Sequence, residues 1–93
     1  MAKRTIFEWD ADKSDATLRR RGFDFDYALQ IFEGKLVEVL DSRRDYGEVR
    51  IRATGAFGND VLTVIYTVRG DTIRIISARR ASRKERRSWL GRE

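Results

Sequence analysis

Histidine, cysteine and proline are all missing from the 93 residues. Without cysteine there is no disulfide, no thiol nucleophile and no thiolate metal ligand. Without histidine there is no imidazole acid–base catalysis and no imidazole to bind zinc. No apolar run approaches the length of about 20 residues that crosses a bilayer. Nor does a hydrophobic segment follow the basic Lys3-Arg4 pair, so the sequence supports neither a signal peptide nor a membrane partner and reads as cytosolic. A glycine-rich phosphate loop, a nucleophile elbow, carboxylates paired at catalytic spacing and a metal-ligand cluster are absent too. The expectation is a protein with no metal and no cofactor.

What is present is charge. Hydrophobic residues make up 41% of the chain and charged ones 38%. The expectation is one domain over residues 1–93, able to bury roughly two-thirds of its unfolded surface. The net charge of +5 is unevenly placed. Residues 79–93 hold seven basic and two acidic side chains, whereas the preceding 78 hold thirteen of each sign. A basic patch confined to one end attracts polyanions through counterion release. A solvated, arginine-rich terminal helix with no ligand is the plainer alternative.

Along the chain, Thr5 to Trp9 reads as a short extended start. Asp10 can cap a helix to about Arg21, with acids in its first turn and Arg19, Arg20 and Arg21 in its last, the polarity that the helix dipole favours. A second helix is expected from about Asp24 to Glu33, since Tyr27, Ala28, Ile31 and Phe32 recur at helical spacing. The period then changes to two over 36–41, 49–56, 61–69 and 72–78, with turn residues between the segments. Gly58-Asn59-Asp60 and Arg69-Gly70-Asp71 suit tight hairpins. Ser82 with Glu85 forms a Ser-x-x-Glu capping box ahead of a last helix ending near Leu90. The fold class predicted is α+β: two N-terminal helices, a four-stranded antiparallel meander and a C-terminal helix.

Arginine, lysine, tyrosine, serine and carboxylate are the chemical kit that remains. RNA cleavage by the neighbouring 2′-hydroxyl can run on it, because the substrate carries its own nucleophile. The protein must align that hydroxyl and stabilise charge on the phosphorane, tasks that suit arginine forks. Arginine stays protonated, so proton transfer is the weak point. Two sources supply a candidate cluster: Arg50 and Arg52 on the polar face of the third strand segment, and the 77–86 junction where the last strand enters the last helix. That junction carries Arg79, Arg80, Arg83, Lys84, Glu85 and Arg86. Tyr66 could face the same side or pack. Trp9 and Trp89 could stack on bases, with packing the simpler role. Helix polarity and exposure account for Arg19, Arg20 and Arg21.

Several stretches resemble the BrnT family, the toxin half of a type II toxin–antitoxin pair. They are Phe7-Glu8-Trp9-Asp10-x-x-Lys13, Arg20-Arg21-Gly22-x-x-Phe25-x-x-Ala28-x-x-Ile31-Phe32, Arg50-x-x-x-x-Gly55 and Val64-x-Tyr66-Thr67-x-Arg69-Gly70. The most distinctive is Ile73-Arg74-Ile75-Ile76-Ser77-Ala78-Arg79-Arg80-Ala81-x-x-x-Glu85-Arg86. The resemblance implies a RelE-like fold and a metal-independent endoribonuclease that halts translation in the bacterial cytoplasm. It also implies a BrnA-like antitoxin carrying a ribbon-helix-helix DNA-binding region, and operator DNA bound only through that antitoxin.

Carried over by position, Arg50, Arg79, Arg80 and Glu85 are the catalytic candidates. Arg79 and Arg80 would meet phosphate and transition-state charge, Arg50 would orient the scissile phosphate, and Glu85 would accept the proton. Arg52, Arg83, Lys84, Arg86 and Arg21 are candidates for holding RNA. Where the family commonly has Lys-His-Gly, this chain has Arg20-Arg21-Gly22, which keeps the positive charge. Trp89 stands where the family often has tyrosine. A non-catalytic binding module, or a toxin that retains only antitoxin binding, remains an alternative reading.

Overall fold

Hydrogen-bonding side chains set the helix ends in this computed structural model, which describes residues 5–43 and 45–91. The Asp10 carboxylate accepts the backbone N–H groups of Asp12 at 2.9 Å and Lys13 at 3.2 Å, and α1 runs over Ala11–Arg21. Asp24 caps the next helix by accepting the Tyr27 N–H at 2.9 Å. The single helix expected over 24–33 divides, however. An α-helical turn, α2 (Phe25–Ala28), passes into a 3₁₀ segment, Leu29–Glu33. Packing explains the tighter winding, because Ile31 is completely buried against the sheet at Gly55.

A Cβ at Gly55 would lie 2.9 Å from Leu36 Cδ2, 3.0 Å from Ile31 Cβ and 3.2 Å from the Lys35 carbonyl oxygen. Gly55→Ala is therefore expected to destabilise by about 1–3 kcal/mol through overpacking. The midpoint of a urea titration checks this, and an unchanged midpoint would show that the 3₁₀ segment yields freely.

The sheet corrects the expected topology. Its strands are β1 (Ile6–Trp9), β2 (Val37–Leu40), β3 (Ile51–Phe57), β4 (Asp60–Arg69) and β5 (Thr72–Arg80). Their spatial order is β1-β5-β4-β3-β2. β2 to β5 form the antiparallel meander, but β1 adds a fifth strand, parallel to β5, so the sheet is mixed. Phe7 and Trp9 lie opposite Ile73 and Ile75 and pack against the same core, which holds this short strand in place. Both hairpins are two-residue connections, Gly58-Asn59 and Gly70-Asp71. The glycine of each has positive φ and its successor does not, the type II′ pattern.

One irregularity decides what faces what. Ile65 pairs with Ser77, but Tyr66 pairs with Ile75, so Ile76 is an extra residue in β5. Such a bulge shifts the alternation of everything beyond it. Paired residues share a face of the sheet. Ile73, Ile75, Ala78 and Arg80 therefore point toward α1, α2 and the core around Phe25, Ile31, Leu62 and Val64, while Arg74, Ser77 and Arg79 point to the opposite face. On that opposite face lie the rows Val37–Thr54–Thr63–Arg79 and Val39–Arg52–Ile65–Ser77. The last helix, α3 (Arg83–Leu90), reaches over the first row.

Candidate functional site

The junction between β5 and α3 builds the site. The Ala81 N–H donates to the Val61 carbonyl at 2.9 Å, which keeps the chain on the sheet as it leaves β5. The Ser82 hydroxyl then accepts the Glu85 N–H at 3.1 Å, and Glu85 Oε1 accepts the Ser82 N–H at 2.8 Å, closing the expected capping box. The cap also turns the Glu85 carboxylate back over β3, β4 and β5.

There it gathers two arginines and a threonine. Arg79 donates from Nη1 to Oε1 at 2.6 Å and from Nη2 to Oε2 at 2.9 Å, a bidentate fork. Arg52 Nη1 donates to Oε2 at 3.3 Å, and the Thr63 hydroxyl donates to Oε1 at 3.1 Å. Thr63 shares a second hydrogen bond, 2.8 Å long, with the buried Thr54 hydroxyl. The fork to Arg79, together with the Ser82 N–H, outweighs burial and pulls the Glu85 carboxyl down to about 2. Glu85 is thus an ionised, hydrogen-bonded anchor at neutral pH and a very weak base.

The cluster is half-closed, with the Glu85 side chain 14% exposed and those of Arg79 and Arg52 29% and 28%. Arg52 Nε is buried with no hydrogen-bond partner among the described residues. Beside it is a cavity of about 40 Å³ lined by Val37, Arg52, Thr54, Glu85 and Ser88, room enough for water. On the same side Asp41 is buried and forked by Arg43, which holds its carboxyl below the usual range. Asp41, Arg43, Thr54 and Thr63 escaped the sequence reading. Asp41 with Arg43 was visible only as local charge, and the threonines only as strand residues.

The other candidates are dispersed. Arg80 lies on the far face from Arg79. It donates to the Arg21 carbonyl at 3.2 Å, sits over the Phe23 ring and approaches Asp60 at 3.9 Å. Asp60 in turn accepts the Tyr27 hydroxyl at 2.6 Å. Arg50 precedes β3. It pairs with Glu48 at 3.3 Å and stacks on Tyr46, so it does not join the Glu85 cluster. Arg83, Lys84 and Arg86 stand exposed along α3, and Arg21 is exposed at the end of α1.

Tyr66 faces the core side, against Phe32, and hydrogen-bonds Glu38. Trp89 anchors α3. Its Nε1 donates to the Lys35 carbonyl at 3.0 Å, and Lys35 Nζ returns a bond to the Trp89 carbonyl at 2.6 Å. Among the described residues, no group of three or more His, Cys, Asp or Glu side chains could hold a metal ion, and no helix is long and apolar enough to cross a membrane.

The family model described as the ribonuclease toxin, BrnT, of type II toxin–antitoxin systems matches residues 9–85. The match runs from Trp9 to Glu85 and so takes in Arg52, Thr63 and Arg79 as well. No curated protein matches the chain.

Proposed function

The chain belongs to the BrnT family of ribonuclease toxins of type II toxin–antitoxin systems, and on that premise we propose that it cleaves RNA without a metal ion, using Arg79 and Arg52 held by Glu85. The observation that carries this reading is the single ionised carboxylate fixing two guanidinium groups on one sheet face. In the reaction the 2′-oxygen of a ribose bonds to the adjacent phosphorus and the bond from phosphorus to the 5′-oxygen breaks. The 2′-hydroxyl proton passes to water, and the departing oxygen takes a proton from water. The phosphorane gains negative charge, and preorganised guanidinium donors stabilise that charge more than they stabilise the ground state.

In this reading Glu85 is a positioning residue. Its role is to hold Arg79 and Arg52 in place, because a carboxyl at about 2 takes a proton poorly at neutral pH. Arg50 and Arg80, each engaged away from the cluster, meet flanking parts of the RNA. Arg83, Lys84, Arg86 and Arg21 extend the cationic path. A BrnA-like antitoxin with a ribbon-helix-helix region neutralises the toxin and carries it to operator DNA, and the pair acts in the bacterial cytoplasm. The sheet flanked by helices fits a RelE-like architecture.

A second reading has its own observation. Among the described residues the cluster's carboxylate, Glu85, is already engaged by Arg79, Arg52, Thr63 and the Ser82 N–H. Arginine does not give up its proton, so no group there is free to move one, and a toxin that binds its antitoxin without cutting RNA fits the same geometry. Incubating purified protein with single-stranded RNA in excess EDTA separates the two. Fragmentation is expected, whereas intact RNA beside folded protein favours the second reading.

A further inference from the structure

Outside the Glu85 cluster a cationic groove of about 290 Å³ lies between α1 and β5. Lys13, Thr17, Arg20 and Arg21 line one wall, Phe25 lies in the floor, and Ser77 stands on the β5 side. Among the described residues no carboxylate lines it. Lys13, Thr17 and Arg20 recur at i, i+4 and i+7, so they share one face of α1. Among the described residues the cationic groups of Lys13, Arg20 and Arg21 make no ion pair or hydrogen bond. Helix polarity accounts for Arg20 and Arg21 in the last turn. It does not account for Lys13, which sits in the first turn, where the dipole disfavours a cation. A ligand common to both ends of the helix face accounts for all three.

We infer that this groove is a second RNA subsite, which holds the sugar–phosphate backbone flanking the phosphate at Arg79. The inference rests on the ribonuclease reading for what lies at Arg79, and on the groove itself for the rest. Lys13 and Arg20 are separated by about 10 Å along the helix axis. That is a track for an extended polyanion and too long for a single bound anion. Ile76, half-buried on the β5 side, offers apolar surface to a ribose or base face, above the fully buried Phe25. The groove lies on the α1 side of the sheet and Arg79 on the other, and the two meet around the outer edge of β5, where Ser77 lines the groove. Ser77 and Arg79 are successive residues on the same sheet face, about 6.6 Å apart along the strand. Beyond Ile75 no strand among the described residues pairs with the outer edge of β5.

The test is binding of a 2′-O-methyl RNA oligonucleotide, which lacks the nucleophile and stays uncut, and which is long enough to reach from Arg79 to α1. Lys13→Gln/Arg20→Gln is compared with Arg19→Gln/Arg87→Gln, which removes the same charge from exposed positions outside the groove. The groove variant is expected to bind roughly 10-fold more weakly at low salt. Its slope of log affinity against log salt should fall by about 1.4, two single-strand phosphate contacts' worth, with the control variant close to wild type. Equal effects in the two variants overturn the subsite. So does normal RNA binding by the groove variant with loss of antitoxin capture, which gives the groove to a protein partner. If wild type binds this oligonucleotide through the groove yet leaves ordinary RNA intact, the ribonuclease reading fails and the groove stands. If RNA is cut and the groove variant binds like wild type, only the subsite fails.

Discussion

Arg79→Ala is expected to lower the rate of RNA cleavage by roughly 100- to 1,000-fold, the usual cost of removing a charge-stabilising donor. Arg79 sits at the end of the central antiparallel strands with its guanidinium plane set by both oxygens of Glu85, so it is in place before substrate arrives. That preorganisation is what a flexible lysine cannot copy. Arg79→Lys keeps the charge but loses the fork, and should recover little of the lost rate. The alanine variant should still fold, because the Ser82–Glu85 capping box and the Arg52 contact remain. Cleavage of a defined RNA, read per folded molecule after circular dichroism, checks the effect. Near-normal turnover by Arg79→Ala would remove Arg79 from the reaction.

The second large effect is on stability and comes from Glu85→Ala. The substitution deletes the cap to the Ser82 N–H, the acceptor for Thr63 and the counter-charge for both Arg79 and Arg52. Two guanidinium groups that are mostly buried then face each other with nothing between them. A loss of about 2–4 kcal/mol is expected from the charged hydrogen bonds and the cap together. For a domain of this size that is a fall of roughly 10–25 °C in Tm.

The pH dependence has a definite sign. The Glu85 carboxyl is depressed in the folded chain from 4.5 to about 2. Its stabilisation is therefore fully present above about pH 4.5 and disappears as the pH falls toward 2. The Tm difference between wild type and Glu85→Gln should be constant above pH 4.5 and shrink below it. The same environment bears on catalysis. A positioning role predicts that wild-type cleavage shows no acidic limb with a midpoint between about pH 4 and 7, and that Glu85→Gln lowers the profile without reshaping it. An acidic limb near neutrality that vanished in Glu85→Gln would make Glu85 the general base after all.

The parts of the molecule readable in the sequence are those governed by local hydrogen bonding. Asp10, Asp24, Ser82 and Glu85 mark helix starts because each side chain satisfies backbone N–H groups within three residues, and the two hairpin glycines mark turns through their own backbone freedom. β1 was not readable as a sheet strand. It pairs with the last strand of the chain in parallel, and such pairing leaves no turn signal between the partners. The 3₁₀ winding at Leu29–Glu33 follows from the space Gly55 leaves for Ile31, a contact across the fold.

The site divides in the same way. Arg79, Arg80 and Glu85 stand out as charges at a strand–helix junction, but strand alternation sends the two arginines to opposite faces. The bulge at Ile76 decides which of them meets Glu85. Nothing in the spacing of Arg50 and Arg52 shows that only the second reaches the carboxylate, while Tyr46 and Glu48 retain the first. Thr54 and Thr63 become part of the site only once β3 and β4 are in register.

The chemistry of the fragment ends formed in EDTA tests the central claim most directly. Attack by the 2′-oxygen, with charge stabilised by Arg79 and Arg52, predicts 2′,3′-cyclic phosphate on one side of each cut and a 5′-hydroxyl on the other, seen by mass spectrometry and absent with Arg79→Ala. Fragments ending in 3′-hydroxyl and 5′-phosphate, or cleavage that stops when EDTA is added, would contradict it.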